Sequence, residues 1–212
     1  TLFRSLLMDA LQMFDQGSQQ SSSVAGAPTG KNGDTLASVV ETNLSFSGDL
    51  SPLGKPERIA IHHTGPDGVT SAEQEASVDP SAAEIHEMHK GKGWGGIGYH
   101  FVIRKNGSIE RGRPEDKLGT HVYHNNTGTL GIHVGGHFDY GKPTDAQVKS
   151  LTGLLRDLCS KYGIPADRQH IMGHKEFPEN ADTACPGSNM MSILDDIVKN
   201  VASAVTASPA SN

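Results

Sequence analysis

Residues 58–64 read Arg-Ile-Ala-Ile-His-His-Thr. A short apolar run of this kind is a strand, and strands end in turn formers more often than in imidazoles. One that stops on His62 and His63 reads as a strand delivering imidazole to a site. From Glu57 onward, short strands alternate with helices. Residues 79–93, beginning Asp-Pro-Ser-Ala-Ala-Glu, predict a helix with Asp79 as N-cap and Pro80 at its first position. Residues 98–112 alternate on either side of Asn106-Gly107 and predict a hairpin, and residues 129–136 predict another strand. Residues 144–163 predict a helix that opens on a Thr144 to Gln147 capping box and closes on Gly163, with Pro165 beyond. A last helix is expected from about Ser188 to Val205. This order implies an α/β domain over residues 56–205, a central mixed β-sheet flanked by helices, with residues 206–212 as a C-terminal tail.

Residues 1–55 read differently. Phe3, Leu6, Leu7, Ala10, Leu11 and Phe14 fall on one face of a short amphipathic helix. From Gln16 to about Pro56 the chain is rich in Ser, Gly and Ala and poor in large apolar residues, which is the composition of a flexible linker. The helix packs on the main domain, on a partner, or on an additional domain N-terminal to this chain, and these alternatives stay open. The first residue is Thr1 rather than Met, as expected of a processed or excised piece of something longer.

The 212 residues carry a formal net charge of −6 and a pI near 6.0, so there is no basic field of the kind that draws nucleic acid or anionic membrane. No apolar run approaches the roughly 18–20 residues of a membrane span, and no signal peptide is visible at the start. Cys159 sits among Leu151, Leu154, Leu155 and Leu158 at helical spacing and reads as a small buried hydrophobe, whereas Cys185 stands in a polar loop before Pro186. A single bridge between them is the alternative to two free thiols.

A zinc site asks for His nitrogen and Cys thiolate, and a catalytic one keeps a position open for water. His62 at a strand end, His174 after Gly173, and Cys185 in the same later loop are candidates for three ligands. Gly95, Gly96 and Gly98 precede a strand rather than opening a helix after one, so they do not form a phosphate-binding loop.

The ordered pieces Ile-Ala-Ile-His-His-Thr (59–64), residues 93–114 with Gly-Tyr-His-Phe at their centre, the Gly119-Thr120-His121 and Leu130–Gly136 block, and residues 173–187 ending Ala-Cys-Pro-Gly resemble the zinc-dependent N-acetylmuramoyl-L-alanine amidase family, which includes phage lysozymes and the peptidoglycan recognition proteins. The resemblance runs from about Arg58 to Ile197. It implies a zinc ion in a surface cleft, held by His62, His174 and Cys185, with Tyr99 as active-site tyrosine and Thr183 at a position that catalytic members fill with Lys or Thr. It also implies His121 and Trp94 as residues of the substrate cleft, with a scaffold role for Trp94 standing beside that, while Arg111 and Arg113 read from their charge as partners for a peptide carboxylate or as solvated salt-bridge residues. His133 departs from the pattern, because some members carry a glutamate there that assists at the metal; imidazole can do acid–base work, which leaves the general base open. His63 should point to the opposite face of its strand from His62, and His86, His89, His124, His137 and His170 read as solvated or structural.

The implied activity is hydrolysis of the amide between N-acetylmuramic acid and L-alanine of the peptidoglycan stem by zinc-activated water. The alternative is a muropeptide-binding module of the same fold that does not cut. As an enzyme it would be a secreted or cell-wall hydrolase of the endolysin or autolysin class, with peptidoglycan as partner. Stems carrying diaminopimelate or lysine, and a phage or bacterial source, are equally compatible with these residues.

Overall fold

The computed structural model describes residues 37–207; the expected N-terminal helix and most of the expected tail lie outside them. In chain order the strands are β1 (Val39–Val40), β2 (Arg58–His63), β3 (Phe101–Ile103), β4 (Ile109–Arg111), β5 (Thr129–Val134) and β6 (Ile171–Gly173). The α-helices are α1 (Ala72–Glu75), α2 (Ala82–Gly91), α3 (Asp145–Tyr162) and α4 (Ser188–Ala207). The strands form one mixed sheet in the order β1-β4-β3-β5-β2-β6, in which only the β3–β4 hairpin is antiparallel. None of the helices among the described residues is long and apolar enough to cross a membrane.

Strand periodicity sorts the side chains onto two faces. Ile59 and Ile61 of β2, Phe101 and Ile103 of β3, and Leu130, Ile132 and Val134 of β5 enter one core with Leu151, Leu154, Leu155 and Leu158 of α3 and Met190, Leu194, Ile197 and Val201 of α4. The alternate positions face the other way. Val102 packs with Ala82 and Ile85 of α2, while Ala60 meets Val122 and Phe177. His62 and His133 are register partners across β2 and β5, so both imidazoles leave the sheet on the face that α3 and α4 do not cover. The part of that face beyond α2 is the floor of the cleft. His63, one residue on, meets Phe138 of the main core, as alternation requires.

The cap of α2 differs from expectation. Ser81, not Asp79, is the N-cap: its hydroxyl accepts from Glu84 N–H, and Glu84 reaches back to Ser81 N–H. A reciprocal Ser-x-x-Glu box satisfies two of the helix's orphan donors, which an Asp-Pro start does not. Asp79 instead accepts from Lys105 N–H and pairs with Arg104. The box on α3 and the left-handed Gly163 at its end stand where the sequence predicts them.

Residues 37–55 are not a free linker. Val39 and Val40 add a parallel strand to β4, Leu53 is fully buried, and Phe46 stands edge-on to the His86 ring. Ser47 N–H donates to Gly95 O, and His86 Nε2 meets Ser45 O. Few as they are, the apolar side chains of this Ser- and Gly-rich stretch pack against the core clusters, which composition alone does not reveal. Both cysteines are free thiols, and Cys159 is buried on α3 as its helical spacing predicts.

Candidate active site

His62 is the last residue but one of β2, and β6 runs beside that strand to Gly173, so the parallel pairing places His174 at the same end of the sheet. The approach there is tight: a Cβ on Gly173 would lie 2.8 Å from the Pro186 ring, so glycine lets the Cys185-Pro186 loop close over β6. The ligand atoms of His62, His174 and Cys185 all lie within 4.8 Å of one another, and Cys185 Sγ is 3.6 Å from His62 Nδ1. Zinc bonds of about 2.0–2.1 Å to nitrogen and 2.3 Å to sulfur at a tetrahedral angle require an N···S edge of about 3.6 Å. The donor set and its spacing therefore fit a zinc ion with one position left open.

Hydrogen bonds behind each ring select the nitrogen that faces the centre. His121 Nε2 meets Thr129 O at 3.2 Å; a carbonyl can only accept, so the proton is on Nε2 and His121 Nδ1 is the acceptor. That Nδ1 is 3.0 Å from His62 Nε2, which must then donate, leaving a lone pair on His62 Nδ1 toward Cys185. Likewise His174 Nε2 donates to Asn180 Oδ1 at 3.1 Å and leaves Nδ1 as its lone pair. Burial, with the neighbouring histidines, holds His62 well below the usual imidazole range, and burial lowers His174 too, so both rings are neutral and ready to ligate. Burial pushes the Cys185 thiol up to about 12, opposed by the His63 N–H that points at the sulfur at 3.4 Å. A cation is what turns such a buried thiol into thiolate.

Tyr99 stands over this cluster, its ring centroid 5.0 Å from those of His62 and His133. Burial first and then Cys185 raise its phenol above the ordinary range, so it stays protonated and is a hydrogen-bond donor. Thr183 Oγ1 accepts from Cys185 N–H at 3.2 Å, which is a loop cap, and the hydroxyl keeps its own hydrogen to give. Tyr99, Thr183, His174 and His121 line one cleft of about 850 Å³. Trp94 lines it as well, 42 % exposed, and separates it from a smaller cavity that Ser47, Asp49 and Lys90 help to wall.

Arg113 is placed otherwise than expected. It is buried, with Nε on Ile97 O, one terminal nitrogen on Leu118 O and Thr120 Oγ1, and the other on Trp94 O and Gly96 O. All of its donors are used on the chain itself, so it clamps the Trp94 loop to the Thr120 loop and has none left for substrate. His121, expected in the cleft, lies at its floor, and its ring needs Gly131 beneath it, where a Cβ would come within 2.8 Å. His133 is buried with Nε2 3.1 Å from Thr64 Oγ1, and burial lowers its pKa to about 3, so it is neutral at working pH.

Asn180 is the residue that sequence reasoning missed. Its Oδ1 accepts from His174 Nε2 and from Tyr123 N–H, and its Nδ2 donates to Tyr123 O and Pro178 O. An Asn six residues after a candidate ligand histidine, in a loop, is the signal that could have pointed to it. A second cluster, His63, His137 and Asp139, has donor atoms equally close, but Phe138 N–H takes the Nδ1 lone pair of His63 at 3.1 Å. The neutral ring then carries its proton on Nε2 and keeps no lone pair for a metal.

Comparison with known proteins bears on the family and the fold. Residues 52–188 match the family model described as N-acetylmuramoyl-L-alanine amidase. The endolysin of Enterobacteria phage T3 is 38 % identical over 146 residues, covering 66 % of this chain and 87 % of its own. The solved endolysin amidase LysCS from Clostridium intestinale superposes with a TM-score of 0.64 at 34 % identity, over 77 % of this chain and 97 % of its own. Drosophila PGRP-LB, at 24 % identity and a TM-score of 0.59 over 74 % of this chain and 92 % of its own, shares the fold. With the matched region spanning β2 to β6, the cleft and every candidate ligand, the chain belongs to the N-acetylmuramoyl-L-alanine amidase family.

Proposed function

We propose that this cleft cuts the amide between the lactyl group of N-acetylmuramic acid and L-alanine of the peptidoglycan stem, at a zinc ion held by His62 Nδ1, His174 Nδ1 and Cys185 Sγ. Family membership supplies the reaction, and the protein is a peptidoglycan amidase. The observation that carries the metal assignment is the 3.6 Å separation of Cys185 Sγ and His62 Nδ1, with both rings turned by bonds on their far sides. Zinc there would supply a Lewis acid that lowers the pKa of water from about 15.7 towards 7 and polarises the carbonyl.

The chain's own groups do the rest. His121 and Asn180 fix the two imidazoles in tautomer and orientation. Tyr99, kept protonated by burial, donates to the oxyanion that develops on the lactyl carbonyl. The Thr183 hydroxyl, anchored as acceptor by Cys185 N–H, uses its remaining hydrogen on the same oxygen or steadies the leaving nitrogen. Trp94 forms one wall. His133, neutral and below the cleft surface, supports the Tyr99 ring rather than carrying the proton. A module that only bound muropeptide would have no use for the complete ligand triad. The site of action is the cell wall.

Metal analysis with two substitutions tests this. Wild type should hold about one zinc per chain; Cys185→Ser should lose zinc and activity together. Tyr99→Phe should keep zinc and lose about 10²–10³ in rate, as for removal of an oxyanion donor. Full zinc and full activity in Cys185→Ser would refute the ligand assignment.

A further inference from the structure

One rim of the cleft takes no part in that chemistry. Tyr123 is 63 % exposed, and its ring stacks on His124 at 3.7 Å and 23°. One face of the phenol is thus backed by imidazole, and the other is left open at a cleft that Tyr123, His124, Glu179 and Asp182 line. The rim is built stiff. His124 and Glu179 are the non-glycine residues with positive φ among the described residues, at 58° and 63°, and their side chains meet at 3.2 Å. Asn180 binds both the N–H and the carbonyl of Tyr123, and Asn125 Nδ2 adds a bond to that carbonyl at 2.9 Å. Left-handed backbone at a His and a Glu persists only where the surroundings hold it, and such strain gathers at ligand-binding edges.

The chemistry of the rim selects its occupant. A fixed, open aromatic face offers electron density to the polarised C–H face of a pyranose, and carboxylates beside it accept from hydroxyls. Glu179 and Asp182 line this cavity, and no Lys or Arg does. The stem peptide carries carboxylates of its own, which this end would repel. Toward Trp94, Lys92 Nζ lies 5.1 Å from the indole ring, and Lys90, paired with Glu87 at 3.1 Å, lines the second cavity together with Asp49. We propose that Tyr123, seated on His124 and flanked by Glu179 and Asp182, is a saccharide platform that takes a pyranose ring of the glycan, orienting the substrate with its sugar on this rim and its acidic peptide toward Trp94. The proposal rests on the amidase reading and gives it a direction.

The two products of the reaction are the probes: a peptide-free glycan oligosaccharide and a free stem peptide, each measured as a competitive inhibitor and by direct calorimetric titration. Tyr123→Ala should weaken glycan binding about tenfold and leave the stem peptide unchanged, with zinc content and melting temperature as in wild type. Tyr123→Phe keeps the ring and should bind glycan like wild type. Glycan binding that is unchanged in Tyr123→Ala, or peptide binding that falls with it or in its place, overturns the platform. A wild-type protein that binds glycan through Tyr123 yet cuts no peptidoglycan would sink the amidase reading and leave the platform standing.

Discussion

Each imidazole that faces the candidate centre is set by a bond on the far side of its ring, and Asn180 is the more exposed to test of the two supports. Its amide satisfies His174 Nε2 and both main-chain groups of Tyr123, so replacing it takes the acceptor from His174 Nε2 and Tyr123 N–H at once, while Tyr123 O keeps its bond from Asn125. Asn180→Ala should lower zinc affinity about 10–100-fold, read by competition with a chelator, and should lower turnover in zinc-replete buffer as well. Unchanged affinity would mean that His174 is oriented by something else. The candidate ligands were legible in the sequence, since His62 lies at a strand end and Cys185 precedes a proline in a loop shared with His174. Asn180 was not, because its partner Tyr123 is 57 positions away and only the folded loops bring them together. Arg113 misled for a similar reason: a guanidinium in a Gly- and Pro-rich loop looks available until its carbonyl partners on two other loops are seen.

At the scale of elements, the sheet face that carries the site is packed with neutral imidazoles. His100 donates from Nε2 to Lys117 O and accepts at Nδ1 from Gly131 N–H, and burial lowers its pKa to about 4. Burial also takes His89 to about 4 and His133 to about 3. Their folded pKa values lie below the unfolded value of about 6.5, so the unfolded chain takes up protons first. The stability these rings contribute is complete above pH 6.5 and is lost as pH falls towards 4, on the order of 3 kcal/mol for His100 alone. The melting temperature should therefore drop steeply between pH 6.5 and 4.5; a flat profile would contradict neutral burial. The segment before β2 is a second element to test. A chain starting at Ser51 loses β1 and the Phe46 contact but no candidate ligand, so it should melt several degrees lower, for a loss of about 2 kcal/mol, while still binding zinc. Strands β2 and β5, the hairpin and helix α3 were readable from period and caps. β1 and β6, of two and three residues, are too short to show a period and exist because β4 and β2 offer them edges.

For the whole molecule, a parallel arrangement of β2 and β6 brings a strand end and a distant loop together, while α3 and α4 cover the opposite face and leave the histidine face open to a large polymer. That architecture, the family match and the converging ligand atoms all lead to one reaction. Digestion of purified peptidoglycan, with the released ends identified by mass spectrometry, tests it most directly. The account predicts new L-alanine amino termini on glycan strands of undiminished length, with the new termini lost on chelation and recovered on adding zinc. New reducing sugar ends without new L-alanine termini would contradict it.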